Sequence, residues 1–232
     1  DAILIDGKTM GTTYHITYFD DQGRNFKPSV DSLLEVVNQS INTYLTDSEI
    51  TQFNRGEGFK FSLPYFFPVL KKSREVNAWG FGPAEPLNPD NFQVDSIRDV
   101  VGFEKIQFNA DSVWKTDART QLDFGGIGQG YGADVIADFL KAKGIINMLV
   151  EIGGEGMACG INLKTKKHWE IGILDPASTR DNLFFKAYAS LKDKSFTTSG
   201  NYFNYREIDG KKYSHTIDPE TGYPARKEIL SA

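Results

Sequence analysis

The sequence predicts an α+β protein in which helices of the first half pack on an antiparallel β-sheet supplied largely by the second. Three observations lead to that class. Apolar residues recur at helical spacing in two early segments, 30–45 and 62–76. Seven short runs rich in β-branched and aromatic residues follow one another from residue 145 onward, with turn signals between them. Between these halves one glycine-rich stretch opens onto a single amphipathic segment, with no second strand–helix repeat to build a doubly wound sheet.

In chain order, Lys8–Tyr18 alternates β-branched and aromatic residues and reads as a strand with Met10 and Gly11 at its entrance. Methionine there is ordinarily core filler, although its polarizable thioether also suits the face of an aromatic ligand ring. Pro28 and Ser29 introduce a helix over Val30–Leu45, with Leu33, Leu34, Val37, Ile41 and Leu45 as its apolar stripe. Its end, Asn42–Asn54, is expected to pack Tyr44 beside a cap at Asp47 or Ser48. A second helix is expected over Ser62–Val76 with Phe66, Val69 and Leu70 inward, then an aromatic and glycine loop over Asn77–Pro83 and a third helix over Asp90–Val101. Glu104–Phe108 and Ser112–Lys115 read as a hairpin around Asn109–Asp111. After the glycine stretch, strands are expected at 145–151, 156–161, 168–174, 184–191, 196–199, 202–208 and 213–217, with Asp209–Gly210 as a hairpin signal.

Composition bounds the function. The chain has 232 residues, enough to bury a full core as one large domain or as two intimate subdomains. A net charge of −5 and a pI near 5.3 leave no basic field for a nucleic-acid partner. Lys164, Lys166 and Lys167 form a local cluster that reads as a solvated hairpin. Cys159 stands alone, so no intrachain disulfide forms and the redox compartment stays open. No run approaches the length of a membrane span, and Asp1–Asp6 is too short and acidic for a signal peptide.

The stretch Asp123-Phe-Gly-Gly-Ile-Gly-Gln-Gly-Tyr-Gly-Ala-Asp134 runs into Val135, Ile136, Phe139 and Leu140 at helical spacing and ends near Gly144. Gly126, Gly128, Gly130 and Gly132 are expected to let backbone lie against a ligand or adopt positive φ, with the helix N-terminus facing any bound anion. Two other readings stay open. Gly128-x-Gly130-x-x-Ala133 with Glu151 about twenty residues on matches a dinucleotide fingerprint, although Asp123 is out of place in a parallel core strand. The stretch could also be a plain helix start without ligand.

Seven motifs occur in one order: Met10-Gly-Thr-Thr-Tyr14, Asn42-Thr-Tyr-x-x-Asp-Ser-Glu-Ile50, Trp79-Gly-Phe-Gly-Pro83, Asp123-x-x-x-Ile-x-x-Gly-Tyr-x-x-Asp134, Val150-Glu-Ile-Gly-Gly-Glu155, Thr198-Ser-Gly-Asn-Tyr202 and Tyr213-Ser-His-Thr-Ile-Asp-Pro-x-Thr-Gly-Tyr-Pro224. Together, over nearly the whole chain, they resemble the FAD:protein FMN transferases, once described as thiamine biosynthesis lipoproteins. The resemblance implies a single catalytic domain over 1–232, flavin-transferase-like in fold. It implies magnesium-dependent cleavage of the FAD pyrophosphate and transfer of FMN to a threonine hydroxyl of a target protein, releasing AMP. The target would be a membrane or exported flavoprotein, met at the periplasmic face of the cell inner membrane. A lipoprotein anchor would be the chain's one contact with the membrane, and its targeting segment would precede Asp1.

By the same resemblance Met10, Tyr44, Asp123, Gln129 and Ile217 would contact FAD, Ile217 through backbone. Gln129 stands where relatives often carry lysine or glutamate, which points its contact to a neutral edge. Gly126 would offer a carbonyl to Mg2+, a hard cation that prefers oxygen ligands. Thr198–Gly200 would line the cleft or be an ordinary turn, and Glu151 and Glu155 would shape it or be solvated. Among the histidines, His15 and His168 read as structural. His215 precedes the turn Asp218–Gly222 and is the candidate catalytic residue, able to take a proton, with a hydrogen-bonded turn histidine as its alternative. Two departures stand out: relatives carry a glycine-rich, flavin-bordering segment between Val76 and Ala78, and continue after Ala232 with metal-binding acidic and threonine side chains. The missing segments are expected to belong to the protein. An FAD pyrophosphatase yielding FMN and AMP, or a flavin- or nucleotide-binding module without turnover, are the competing functions.

Overall fold

The computed structural model describes residues 2–56, 58–75, 100–179, 181–200 and 232, and the backbone of 205–208 and 211–214. The expected loop 77–83, the body of the expected helix 90–101, His215 and Ile217 lie outside these residues. The chain divides into two compact units. The first comprises Asp1–Glu35, Gln129–Phe203 and Ile229–Ala232, the second Val36–Gly128 and Asn204–Glu228.

The first unit is built on a five-stranded antiparallel sheet. Its strands are β1 (Ala2–Thr9), β2 (Thr12–Phe19), β6 (Met148–Ile152), β7 (Glu155–Cys159) and β10 (Lys194–Phe196), in the order β1-β2-β6-β7-β10. The run expected as one strand over Lys8–Tyr18 is two strands folded at Met10–Gly11, whose φ values of 49° and 73° make a tight left-handed turn. Alternation in β2 turns Tyr14, Ile16 and Tyr18 inward and leaves His15 exposed between Asp6 and Glu151 of the neighbouring strands. Against that inner face lie Val30 and Leu34 of α1 (Lys27–Ile41) and Ala133, Ile136, Ala137 and Leu140 of α4 (Gly128–Ala142). Each large aliphatic side chain buried there contributes about 1.5–3 kcal/mol. Val135, expected on the inner stripe of α4, is only half-buried, and Ala133 and Ala137 take its place. The helix stops at Gly144 (φ 86°), where the Ile145 N–H reaches back to the Leu140 carbonyl at 3.0 Å.

The dinucleotide reading fails on topology. Thr120–Phe124 forms no strand, and β6, which follows α4, pairs antiparallel with both neighbours. A separate hairpin joins β8 (Trp169–Leu174) to β9 (Phe185–Leu191). The lysine-rich turn before it is closed by a bridge between Asn162 and Lys167, the solvated hairpin that composition suggests.

In the second unit the first expected helix ends at Ile41, short of Leu45, and a separate helix α2 (Glu49–Arg55) follows. Ser48 does cap, but it caps α2: its hydroxyl accepts the Thr51 N–H at 3.3 Å. Tyr44 is not packed. Asn42 takes the Tyr44 N–H through its side-chain oxygen at 2.9 Å, and the ring is 88 % exposed. Strand β3 (Gly58–Lys60) leads to α3 (Phe66–Glu75), which buries Phe66, Val69 and Leu70 as expected. A 3₁₀ turn (Phe103–Lys105) precedes β4 (Ile106–Phe108) and β5 (Ser112–Lys115), and the sheet order is β3-β5-β4. The β4–β5 turn closes on Asn109, whose side chain accepts the N–H groups of Asp111 and Ser112. Phenylalanines fill this core edge to face: Phe59 on Phe66 at 5.0 Å and Phe66 on Phe124 at 5.4 Å between ring centres. Strands β11 (Tyr205–Ile208) and β12 (Lys211–Ser214) flank Asp209–Gly210 and pair antiparallel with Ile208 opposite Lys211.

Candidate active site

The expected site residues fall in both units, and the chain passes from the second to the first at Gly128–Gln129, the opening of α4. In the first unit two tight turns stand at the same end of adjacent strands, Met10–Gly11 beside β2 and Gly153–Gly154 beside β6. Both glycines of the second turn are left-handed, at 59° and 94°. The turn is tied on every side. The Gly153 N–H meets the Thr13 carbonyl at 3.0 Å, Glu151 accepts the Gly154 N–H, and the Thr198 hydroxyl donates to the Gly154 carbonyl at 3.0 Å.

The first turn of α4 packs on these turns. A Cβ at Gly153 would come within 2.9 Å of the Gln129 side-chain oxygen, and one at Gly132 would come within 3.0 Å of Met10 Cε. Met10 and Gln129 are thus brought to one end of the sheet. The positive φ expected as one use of these glycines is not found: none of Gly126, Gly128, Gly130 and Gly132 is left-handed. Gly132 admits Met10, Ile152 and Leu34, Gly128 admits Ile41, and Gly130 faces the Glu155 carboxylate, which a Cβ there would approach to 2.7 Å.

Glu155 also alters the expected electrostatics of the helix start. It accepts hydrogen bonds from the Gly130 N–H and from Thr197, so an internal carboxylate already sits on an amide of the first turn. Burial nevertheless raises its pKa above the ordinary glutamate value, because desolvation outweighs those bonds. Ala232 pairs with Ser199 through two backbone bonds of 2.8 and 2.9 Å, next to Thr198 in sequence.

The second unit presents Asp123, Gly126 and Tyr44. Asp123 is exposed and accepts the Gly125 N–H at 2.7 Å, closing a turn. Phe124 is buried against Phe66, and its carbonyl accepts the N–H groups of Ile127 and Gly128 at 3.0 and 2.7 Å, which starts α4. Gly126 is exposed with open space where a Cβ would stand. Its carbonyl suits a hard cation, yet no three His, Cys, Asp or Glu side chains converge as a metal centre among the described residues.

Asn54 and Lys115, to which the sequence reading assigned no role, hold the approach to this segment. The Asn54 side chain bonds both backbone groups of Leu122, and the Lys115 ammonium meets the Thr120 carbonyl at 2.8 Å. Burial draws the Lys115 pKa below the ordinary lysine value. Asn54 closes the run that begins at Asn42, but its partner lies 68 residues away and no local signal joins them.

Comparison with known proteins adds a family. The ApbE family model matches residues 10–232. An FAD:protein FMN transferase of Vibrio cholerae serotype O1 is 34 % identical over 255 residues, covering 100 % of this chain and 75 % of that protein. Another, of Haemophilus influenzae, is 31 % identical over 260 residues, covering 99 % and 75 %. Among solved structures, the flavin transferase ApbE from Vibrio cholerae superposes with a TM-score of 0.83 at 32 % identity, over 100 % of this chain and 80 % of that one. The apo flavinyl transferase ApbE of Pseudomonas stutzeri gives 0.82 at 29 % identity, over 100 % and 78 %.

Proposed function

Because the chain belongs to the ApbE family, we propose that it is an enzyme that transfers FMN from FAD to a hydroxyl of a protein acceptor, releasing AMP. The observation that carries this reading is the family match over residues 10–232 together with the likeness, over 100 % of this chain, to a relative named for that reaction and to a flavin transferase structure. The acceptor oxygen attacks the phosphorus on the FMN side of the pyrophosphate. A new P–O bond forms, the bridging P–O bond breaks with its electrons leaving on AMP, and the hydroxyl proton must be taken up.

The finer assignments belong to the same proposal. His215 takes the proton. Met10, Gln129, Tyr44, Asp123 and the Ile217 backbone hold FAD, the Met10 thioether lying on the flavin face. Support for the first two is their convergence at one end of the sheet; Asp123 is supported by its exposure on a fixed turn. The acceptor residue is a threonine of a membrane or exported flavoprotein at the periplasmic face of the inner membrane, and the enzyme is lipid-anchored. No helix among the described residues is long and apolar enough to cross a membrane. When bound, magnesium would neutralise pyrophosphate charge, and the Gly126 carbonyl is one oxygen it could use.

The test is incubation of the protein with FAD, magnesium and a threonine-bearing acceptor peptide, followed by mass analysis. Covalent FMN on the peptide is expected, and His215→Ala should slow its appearance roughly 100-fold or more with FAD affinity little changed. Free FMN and AMP without peptide adduct would make the protein a pyrophosphatase. Binding without products would make it a module.

A further inference from the structure

We infer that Asn54 and Lys115 are positioning residues that fix the backbone presenting Asp123, an inference that rests on Asp123 facing FAD. The segment 117–127 contains no helix or strand, yet Thr120 and Leu122 are buried, so their backbone groups need partners from elsewhere. Asn54 supplies them for Leu122 in both directions. Its Nδ2 donates to the Leu122 carbonyl at 2.8 Å, and its Oδ1 accepts the Leu122 N–H at 2.7 Å. A carboxamide offers donor and acceptor side by side, so one side chain reproduces the rung that a neighbouring strand would otherwise provide.

Lys115 locks that rung from below. Its ammonium donates to the Thr120 carbonyl at 2.8 Å and to the Asn54 carbonyl at 3.2 Å, joining the end of α2 to the segment it holds. The ammonium also lies 5.0 Å from the centre of the Phe53 ring, so the buried charge is partnered by dipoles and a π face. Thr120 makes a further bond from its hydroxyl to the Val100 carbonyl at 3.0 Å. On the far side Phe124 is seated on Phe66. Asp123 therefore projects from between two fixed neighbours, and its direction is set before any ligand arrives. A group held in place in the free protein spares the ordering cost on binding, which is how residues remote from the ligand alter affinity.

The experiment measures FAD affinity by flavin fluorescence, thermal stability, and amide hydrogen exchange in wild type, Asn54→Ala and Asn54→Asp. Asn54→Ala should weaken FAD binding about 10-fold, the scale of one or two buried hydrogen bonds. Exchange at Leu122 and Gly125 should accelerate while Met148–Ile152 stays protected. Asn54→Asp should weaken binding at pH 7, where its carboxylate has no donor for the Leu122 carbonyl, and its deficit against wild type at the same pH should shrink as the pH falls toward the ordinary aspartate value of about 3.9, because a protonated carboxyl again pairs a donor with an acceptor, whereas the deficit of the alanine variant should not shrink. FAD affinity within twofold of wild type in Asn54→Ala with freed amides would make the clamp merely structural and overturn the inference, as would unchanged exchange at Leu122. If Asn54→Ala does not fold, Lys115→Met releases the Thr120 and Asn54 carbonyls while leaving the Asn54–Leu122 pair, and is read by the same affinity and exchange criteria. Absence of FAD binding in the wild type would overturn the functional reading, while exchange at Leu122 would still decide the clamp.

Discussion

In the first unit the turns Met10–Gly11 and Gly153–Gly154 are carried by strands that are paired along their length, whereas in the second Thr120–Gly126 belongs to no ladder and is held by Asn54, Lys115 and Phe124. Both present expected flavin contacts. The ladder fixes backbone whatever side chains it carries, so Met10 can be chosen by what it touches, and constraint concentrates on glycines that must be left-handed or closely approached. The clamp fixes backbone through particular side chains, so constraint moves to residues one layer removed from the contact. The two kinds of support should break differently.

The largest effect is expected on the ladder side at Gly153. Valine there would meet a left-handed φ of 59° and overlap Thr12 Cγ2 at 2.8 Å and the Gln129 side chain. Gly153→Val should lose about 2–4 kcal/mol in urea unfolding, from backbone strain plus overpacking. A loss under about 0.5 kcal/mol would mean that the turn is not held as described.

On the clamp side, Lys115→Met keeps length and burial but strands two carbonyls. Unfolding should show a loss of about 1–3 kcal/mol. Equal stability would show that water or a neighbour satisfies those carbonyls.

Acid and neutral melts sharpen the contrast within the ladder unit. Arg24 holds the Asp20 carboxyl well below the ordinary carboxylate range, so its contribution is present above the unfolded pKa of about 3.9 and is lost as pH falls from there through the folded value. Asp20→Asn should flatten that acid limb. Glu155 has the opposite sign. Its folded pKa is raised by burial, so the folded state holds the proton more tightly and stability falls as pH rises from about 4.3 through the raised value. Glu155→Gln should remove that fall in melting temperature, and an unchanged pH profile would put the Glu155 carboxylate in water.

The smallest effect is the most discriminating. Met10 is a non-glycine residue at positive φ, a conformation that asparagine tolerates better. Met10→Asn should raise stability by about 0.5–1 kcal/mol while weakening FAD binding. Unchanged affinity would take Met10 out of the flavin site, and a loss of stability would make it core filler against Gly132.

Periodicity made much of this legible. Phe66, Val69 and Leu70 could be placed inward from spacing alone, and so could the strand alternation through Tyr14, Ile16 and Tyr18. The β1–β2 turn was not legible, because methionine is an unusual left-handed residue and its place is set by packing against α4, a tertiary effect. The separate helix α2 was hidden for a related reason. Ser48 was visible as a cap, but only the structure tells whether a cap follows one helix or begins the next. Glycine stands out over 126–132, but not through positive φ: Gly128, Gly130 and Gly132 admit neighbouring side chains, which no local pattern shows. Asn54 closes the run that begins at Asn42, but a hydrogen bond spanning 68 residues leaves no trace in local pattern.

The lysine-rich turn ahead of β8 has a practical consequence. Lys164, Lys166 and Lys167 are exposed on one short turn, Lys166 at φ 58°, which makes this a natural point of attack for trypsin. A cut there would not free the two pieces. Lys194–Phe196 of the later piece is paired rung for rung with Gly156–Ala158 of the earlier one, and the Trp169 ring nitrogen donates across the nick to the Cys159 carbonyl at 2.9 Å. The nicked chain should travel as one particle in native gels and fall into two only in detergent, so a single early cleavage can be mapped without dismantling the sheet it interrupts.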